Sequence, residues 1–539
     1  MSSSALSKFA NFHQELFLHA SQAAQSSSDL HNQDIAGYSK NFMASIPATK
    51  HSSHLDEIVS EAEKANIVFF GDFHTLKQSQ KGFLDILEAI HKQHPTKPLV
   101  VALEIFKASD QKLIDEYLSG FLDESHFLRA IDYKNSWGFP WDHYRPIIDF
   151  CSLHKVKVLG INSQFDNDNR LSKRDDFAGS ILNSWLKENP DNLCLCLIGE
   201  YHLADNHLIS RISSDKKILR IIANVDQIAL EFASKTIASP EYFKLSDNFY
   251  CVINTAPWIK WNSLTMWEEL HHATDANFYQ DDTELYTEHH YDYDYHLLHM
   301  AKSINNLLDL GISSSQLSQF DLYMRPDRST FLYLKNKLKI SRHEFLAADR
   351  ILQREGFYYF SPARTMVIQN YSIHKFAELA GHFLFDCLVP NKGSESFIRR
   401  VESQICATIS ALLMNPRKST VRISELEAYY ETVKRRRLIG ESKMRREAVK
   451  CAIPLFYELA QDRHIPKSVT SEHLAEKDRE LGYLASRILG ELVGIHVFES
   501  LIAESAEVGF SQIKQIFHSG LEFHISLLSS QKDRAAKAS

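Results

Sequence analysis

Two tetrapeptides in this chain share one design: Gly71-Asp72-Phe73-His74 and Gly199-Glu200-Tyr201-His202. Each sets a carboxylate two residues before an imidazole, behind a glycine that tolerates a sharp turn. Each follows a short apolar run, IVFF at 67–70 and LCLCLI at 193–198. A further carboxylate, Glu104, follows the run LVVAL at 99–103. If these segments converge, two imidazoles and three carboxylates share one small volume. Imidazole and carboxylate together suit Zn, Mn, Fe or Co. They equally suit metal-free acid–base chemistry, because clustered carboxylates push one another's pKa values apart. One G-x-x-H is weak, and a lone histidine at a strand end is usually structural. The repetition behind two apolar runs, with Glu104 behind a third, carries the argument.

The elements that must position these residues are legible. Two more apolar runs, VKVLGI at 156–161 and ILRIIA at 218–223, make five in all. Most are continuous rather than alternating, the pattern of strands buried on both faces. Helix-like stretches separate them. In GFLDILEAIHKQ, Phe83, Ile86, Leu87 and Ile90 fall on one face. SDQKLIDEYL, YRPIIDFCSLHK, DDFAGSILNSWLKE and NHLISRIS read the same way, with Ser109 and Asp175 as expected N-caps. Strand alternating with helix predicts an α/β fold: a parallel sheet flanked by helices, followed by a mainly α-helical C-terminal domain. In such a sheet ligands bind beyond the carboxyl ends of the strands. The third and fifth strands deliver Asn162 and Asn224 to that edge, as expected supporting residues.

The expected organisation has four parts. Residues 1–55 read as an N-terminal helical extension and linker, and 56–275 as the α/β domain. Residues 276–294 are an acidic, aromatic linker, and 295–530 a mainly helical domain. Within 236–275, FYCVINTAPWIKW reads as a trailing subdomain. The chain has 539 residues and a formal net charge of −8, which argues against general nucleic-acid binding. The basic run at 434–446 and a helix-turn-helix-like stretch at 340–360 read as solvated charge and ordinary packing. No apolar run reaches the length of a membrane span. The start lacks a basic region ahead of an apolar one, and the seven cysteines form no C-x-x-C pair. A cytoplasmic protein with reduced cysteines is expected. In the helical region Glu378, His382, Glu480, Glu491 and His496 read as paired core polar groups. Gly482, Ala485, Gly490 and Gly494 read as a face that admits a close neighbour.

GDFH at 71–74, ALEIF at 102–106, W-x-x-Y at 141–144, IN at 161–162 and IGEYH at 198–202 together resemble the ChaN-type haem-binding family. That family stands with the Tiki/TraB and erythromycin-esterase-like proteins in one superfamily. The resemblance covers about a third of the chain, with Asp72 where the family more often carries Glu. It implies an α/β fold that binds haem or iron, and in Tiki-like members metal-dependent hydrolysis. A haem needs an axial ligand, and Tyr144, Tyr201, His74, His202 and His207 are the candidates. Trp141, with Trp137 and Phe139, is placed to stack on a macrocycle, and Arg145 to meet a propionate. In the hydrolase alternative His74, Glu104 and His202 hold a divalent metal such as Zn, Mn or Fe. Glu200 or Asp72 then activates water on an ester, amide or peptide. The haem- or iron-binding reading is the favoured one, with a small-molecule ligand as partner and homodimerisation as a candidate role of the helical region.

Overall fold

A computed structural model describes residues 3–25, 33–48, 50–163, 170–232, 241–276, 293–324, 328–369, 372–390, 396–418, 420–460, 478–504 and 506–519. The chain divides into two compact units. One comprises His13–Ala233 and Ala238–Tyr291, the other Met1–Phe12, Ser234–Ile237 and Asp292–Ser539.

The first unit is built on an eight-stranded sheet: β1 (His51–Ser53), β2 (Ile67–Asp72), β3 (Leu99–Lys107), β4 (Lys157–Asn162), β5 (Leu193–Gly199), β6 (Ile218–Ala223), β7 (Glu241–Ser246) and β8 (Phe249–Ile253). The order is β1-β7-β8-β6-β2-β5-β3-β4. The six strands from β8 to β4 run parallel, and β7 and β1 complete one edge antiparallel. All five expected strands are present. The run read as a trailing subdomain is not separate: Phe249–Ile253 is β8, fully buried and paired with β6. Its five residues are apolar throughout, as a strand covered on both faces must be.

The helices are α1 (Ser3–Ala24), α2 (Gln33–Ser45), α3 (Leu55–Lys64), α4 (Lys77–Gln93), α5 (Gln111–Leu118), α6 (Glu124–Ala130), α7 (Tyr133–Ser136), α8 (Trp141–His154), α9 (Leu171–Glu188), α10 (Asp226–Phe232) and α11 (Pro257–Ala276). Helices of this set form a layer on each face of the sheet, whereas α1 up to Phe12 belongs to the second unit. Val68 and Phe70 of β2 pack with Phe83, Ile86, Leu87 and Ile90 of α4 and Ile147 and Ile148 of α8. Ile67 and Phe69 face the other way, onto Ala178 and Leu182 of α9 and Phe42 of α2. The helix α2 lies in the stretch read as an extension, yet it supplies this layer of the core.

Neither expected N-cap is one. A short 3-10 turn, Ala108–Asp110, leads into α5 and carries Ser109. Asp175 lies inside α9, because that helix starts earlier, at Leu171, whose N–H donates to Asp34 Oδ2 at 2.8 Å.

The second unit is mainly helical: α12 (Tyr293–Leu308), α13 (Ser314–Leu317), α14 (Arg328–Lys337), α15 (Arg342–Glu355), α16 (Ile373–Leu388), α17 (Phe397–Met414), α18 (Ile423–Val433), α19 (Gly440–Ala460), α20 (Arg479–Glu504) and α21 (Ala506–Ser519). A small sheet joins β9 (Asp321–Met324) to the hairpin of β10 (Phe357–Phe360) and β11 (Thr365–Ile368). The helix-turn-helix-like stretch is therefore α15 leading into that hairpin. Glycine lets α20 press onto α17: a Cβ on Gly490 would stand 2.6 Å from the Gln404 Cβ, and one on Gly494 2.8 Å from the Thr408 Cβ. Glu378 is paired as expected, with Lys418 at 2.9 Å and Arg487 at 3.0 Å. His382 Nδ1 lies 2.6 Å from Ser403 Oγ.

Among the described residues one helix passes for a membrane span by length and composition, Arg479–Glu499. It is 67% buried inside the fold, like the core helix of a bundle. Most of the acidic, aromatic linker, residues 277–292, lies outside the described residues, with His289, His290 and Tyr291 in it.

Candidate functional site

The parallel strands end at one edge, and β2 and β5 are neighbours at its centre. The chain leaves β2 toward β3 on one side and leaves β5 toward β6 on the other. Such a divergence opens a crevice at the carboxyl edge. Asp72 pairs with Gly199 across it, so the two Gly-acidic-aromatic-His motifs lie side by side, one residue out of step. A Cβ on Gly199 would lie 3.4 Å from both His74 and His202. Both imidazoles therefore rest against the strand end at Gly199.

Both rings are held at Nδ1 by a buried acid. Asp72 Oδ2 lies 2.9 Å from His74 Nδ1 and accepts the Tyr144 hydroxyl at 2.8 Å. Its Oδ1 accepts from Gln80 Nε2 at 2.5 Å. On the other face of the sheet, Asp175 Oδ1 lies 2.5 Å from His202 Nδ1, and Oδ2 accepts the Tyr38 hydroxyl at 2.9 Å. Two Tyr–Asp–His chains therefore enter from opposite layers. They meet at Glu104: His74 Nε2 stands 4.0 Å from its Oε2, and His202 Nε2 3.6 Å from its Oε1. Glu104 also accepts the Gly199 N–H at 2.8 Å and pairs with Arg174 at 3.3 Å.

The charges follow from these contacts. Burial alone would raise the Glu104 carboxyl. Arg174, then His202 and His74, overcome that and bring it down to about 2. Burial would likewise lower His74, but the bond to Asp72 and the charges of Asp72 and Glu104 leave it raised. Glu200 is turned the other way, toward Lys260 Nζ at 2.8 Å. Burial, with the charges of Asp226 and Asp72, leaves its carboxyl raised against the pull of Lys260. Lys260 is raised despite its burial, by Glu200 and Asp226, and sits 4.7 Å from the centre of the Phe73 ring.

The five residues read as the centre thus divide. Asp72, His74, Glu104 and His202 form one connected cluster, and Glu200 belongs to a neighbouring ion pair. Tyr144 joins the cluster through Asp72 and is fully buried. Asn162 accepts from Arg174 at 3.4 Å. Asn224 ties β6 to β8, donating to Asn254 Oδ1 at 2.8 Å and accepting the Asn254 N–H at 3.0 Å. His207 has both nitrogens engaged, by the Tyr201 carbonyl at 2.7 Å and Asn41 at 3.1 Å. Tyr201 packs 5.7 Å from Phe42. The ring contacts of Trp141 are with Phe106, Tyr117, Phe127 and Tyr133, an aromatic cluster beside α5 to α7. Arg145 pairs with Glu124 and Asp149 on the outer face of α8. The aromatic neighbours of His74 are instead Trp137 at 4.6 Å and Phe139 at 4.9 Å.

Five partners escaped the sequence reading: Tyr38, Gln80, Arg174, Asp175 and Lys260. Lys260 had a signal, since it follows β8 as the other site residues follow their strands. Tyr38 had none, because nothing in its surroundings marks α2 as part of the sheet's cover. Among the described residues, no group of three or more His, Cys, Asp and Glu side chains is arranged to hold a metal ion. All seven cysteines are free, six of them buried.

Residues 58–174 match the family model described as haem-binding uptake, Tiki superfamily, ChaN. The match takes in Asp72, His74, Glu104, Tyr144 and Arg174 and ends before Asp175, Glu200 and His202. No curated protein matches the chain. Among solved structures, the chain is similar to one titled cofacial heme binding to ChaN of Campylobacter jejuni. The identity is 17%, the TM-score 0.28, and the likeness covers 37% of this chain and 91% of that one. Of the five short motifs that carry the resemblance, four fall within the segment of the α/β unit that matches this family model, residues 58–174, and IGEYH at 198–202 lies beyond it.

Proposed function

We propose that this protein binds haem at the carboxyl edge of β2, β3 and β5, with His74 Nε2 as the iron ligand. The observation that carries the choice is the contrast between the two imidazoles. The His74 side chain is 23% exposed and that of His202 only 5%. Asp72 holds the His74 Nδ1, which orients the ring and raises the basicity of the opposite nitrogen, as carboxylates behind ligating histidines do. Trp137 and Phe139 give an aromatic surround that suits a flat macrocycle. Tyr144 and His207 are poor ligands here, because the first is buried on Asp72 and the second has both nitrogens engaged. Haem iron accepts a single imidazole, so this donor set fits the group. The free, buried cysteines support a cytoplasmic setting.

The hydrolase alternative has less support. Its three ligands do converge, but Glu104 already carries Arg174 and the Gly199 N–H. Its two candidate bases are also engaged, Asp72 by three donors and Glu200 by Lys260. Titration of the metal-free protein with haemin, followed at the Soret band, tests the reading. A saturable one-to-one shift that persists in His202→Ala and disappears in His74→Ala is expected. Equal binding by His74→Ala would remove His74 as the ligand. Non-saturating absorbance in the unmodified protein would overturn haem binding itself.

A further inference from the structure

The helical unit holds an open cavity of about 310 Å³ between α15, α18, α19 and α20. That volume falls in the range of small-molecule sites, which pair an apolar wall with a few placed polar groups. The apolar wall includes Leu426, Leu484 and Ile488. The polar wall holds three arginines, Arg354, Arg445 and Arg487, against two glutamates, Glu355 and Glu491.

Ion pairing accounts for part of this charge. Arg487 is held by Glu355 at 3.2 Å and Glu378 at 3.0 Å. Arg354 reaches Glu355 through Nε at 3.0 Å and Glu480 through Nη1 at 3.0 Å. What remains points to an anion. Arg354 is neutralised by these two acids, and its Nη2 is buried without a hydrogen-bond partner. Arg445 stacks 5.2 Å from the Tyr429 ring centre and forms no ion pair among the described residues. Burial raises the carboxyl of Glu491, which weakens it as a counter-charge.

We infer that this cavity binds a small amphipathic carboxylate, its acid group met by Arg445 and its apolar part against Leu426, Leu484 and Ile488. A planar guanidinium matches a carboxylate with two donors, which a compact ammonium does not. This site is separate from the sheet-edge crevice and does not depend on how that crevice is used.

Calorimetric titration of the full chain with sodium octanoate tests the assignment, with octylammonium as the charge-reversed probe. Saturable one-to-one binding of octanoate, with none of octylammonium, is expected. Arg445→Ala should raise the dissociation constant about tenfold, the loss of one charge-assisted contact. Arg445→Lys should recover only part of that. Arg445 is exposed, so the far-ultraviolet circular dichroism of both variants should match the unmodified protein. No saturable octanoate binding, equal binding of octylammonium, or an unchanged constant in Arg445→Ala would each overturn the proposal.

Discussion

His74 and His202 end motifs of one pattern, yet their acids come from different places. Asp72 holds its own motif's histidine, whereas Glu200 turns to Lys260 and leaves His202 to Asp175. The one-residue offset between β2 and β5 gives a reason: a shift of one reverses which face each side chain meets. The two acids therefore do different work despite equal positions in the motif. Glu104, between the rings, has the clearest electrostatic consequence. Its carboxyl falls from 4.5 to about 2 in the folded protein. A depressed carboxyl contributes stability that is present above its unfolded pKa and lost as pH falls through the folded one. Urea unfolding between pH 5 and pH 2 should show that loss, about 1–3 kcal/mol, and Glu104→Gln should flatten the profile. An unchanged slope in the variant would mean that other carboxylates govern acid unfolding.

At the scale of elements, α2 and α11 matter more to the crevice than their sequences suggest. The helix α2 brings Tyr38 to Asp175 and buries Phe42 to 2% exposure in the core. Truncating Phe42 to alanine should cost about 3–5 kcal/mol in denaturant unfolding of the α/β unit. Tyr38→Phe leaves Asp175 Oδ2 short of its donor and should cost about 1–3 kcal/mol. If both are silent, α2 is not a structural part of the unit. The helix α11 brings Lys260 beneath Glu200, a buried pair whose single removal strands a charge. Lys260→Met should therefore destabilise by about 3–5 kcal/mol, and Glu200→Gln added to it should recover part of the loss. These two helices also mark where sequence reading stopped. Buried strands announce themselves by continuous apolar runs, and the strand-end rule then locates Asp72, His74, Glu104 and His202. Asp175 and Tyr38 reach the same place from helix faces, where no local pattern separates a polar residue facing the core from one facing water. Trp141 and Arg145 make their contacts apart from His74, because closeness in sequence to Tyr144 says nothing about the side of α8 they occupy.

Across the whole molecule, two units with separate cores carry two sites of different chemistry, each proposed on its own observations. Ligands that bind the folded state raise its stability by mass action, about 2.7 kcal/mol at a hundredfold excess over the dissociation constant. Scanning calorimetry should resolve two transitions, with haemin raising one and octanoate the other. A single transition moved by both ligands would show that the units unfold together. The sheet-edge crevice adds a further consequence for assembly. One imidazole takes its orientation from the layer that contains α8, the other from the layer of α2 and α9, and both are read out at a single carboxylate. A chain with only one layer docked presents one ring in place and one astray. Ordered placement of both rings around Glu104 therefore reports complete assembly of the unit.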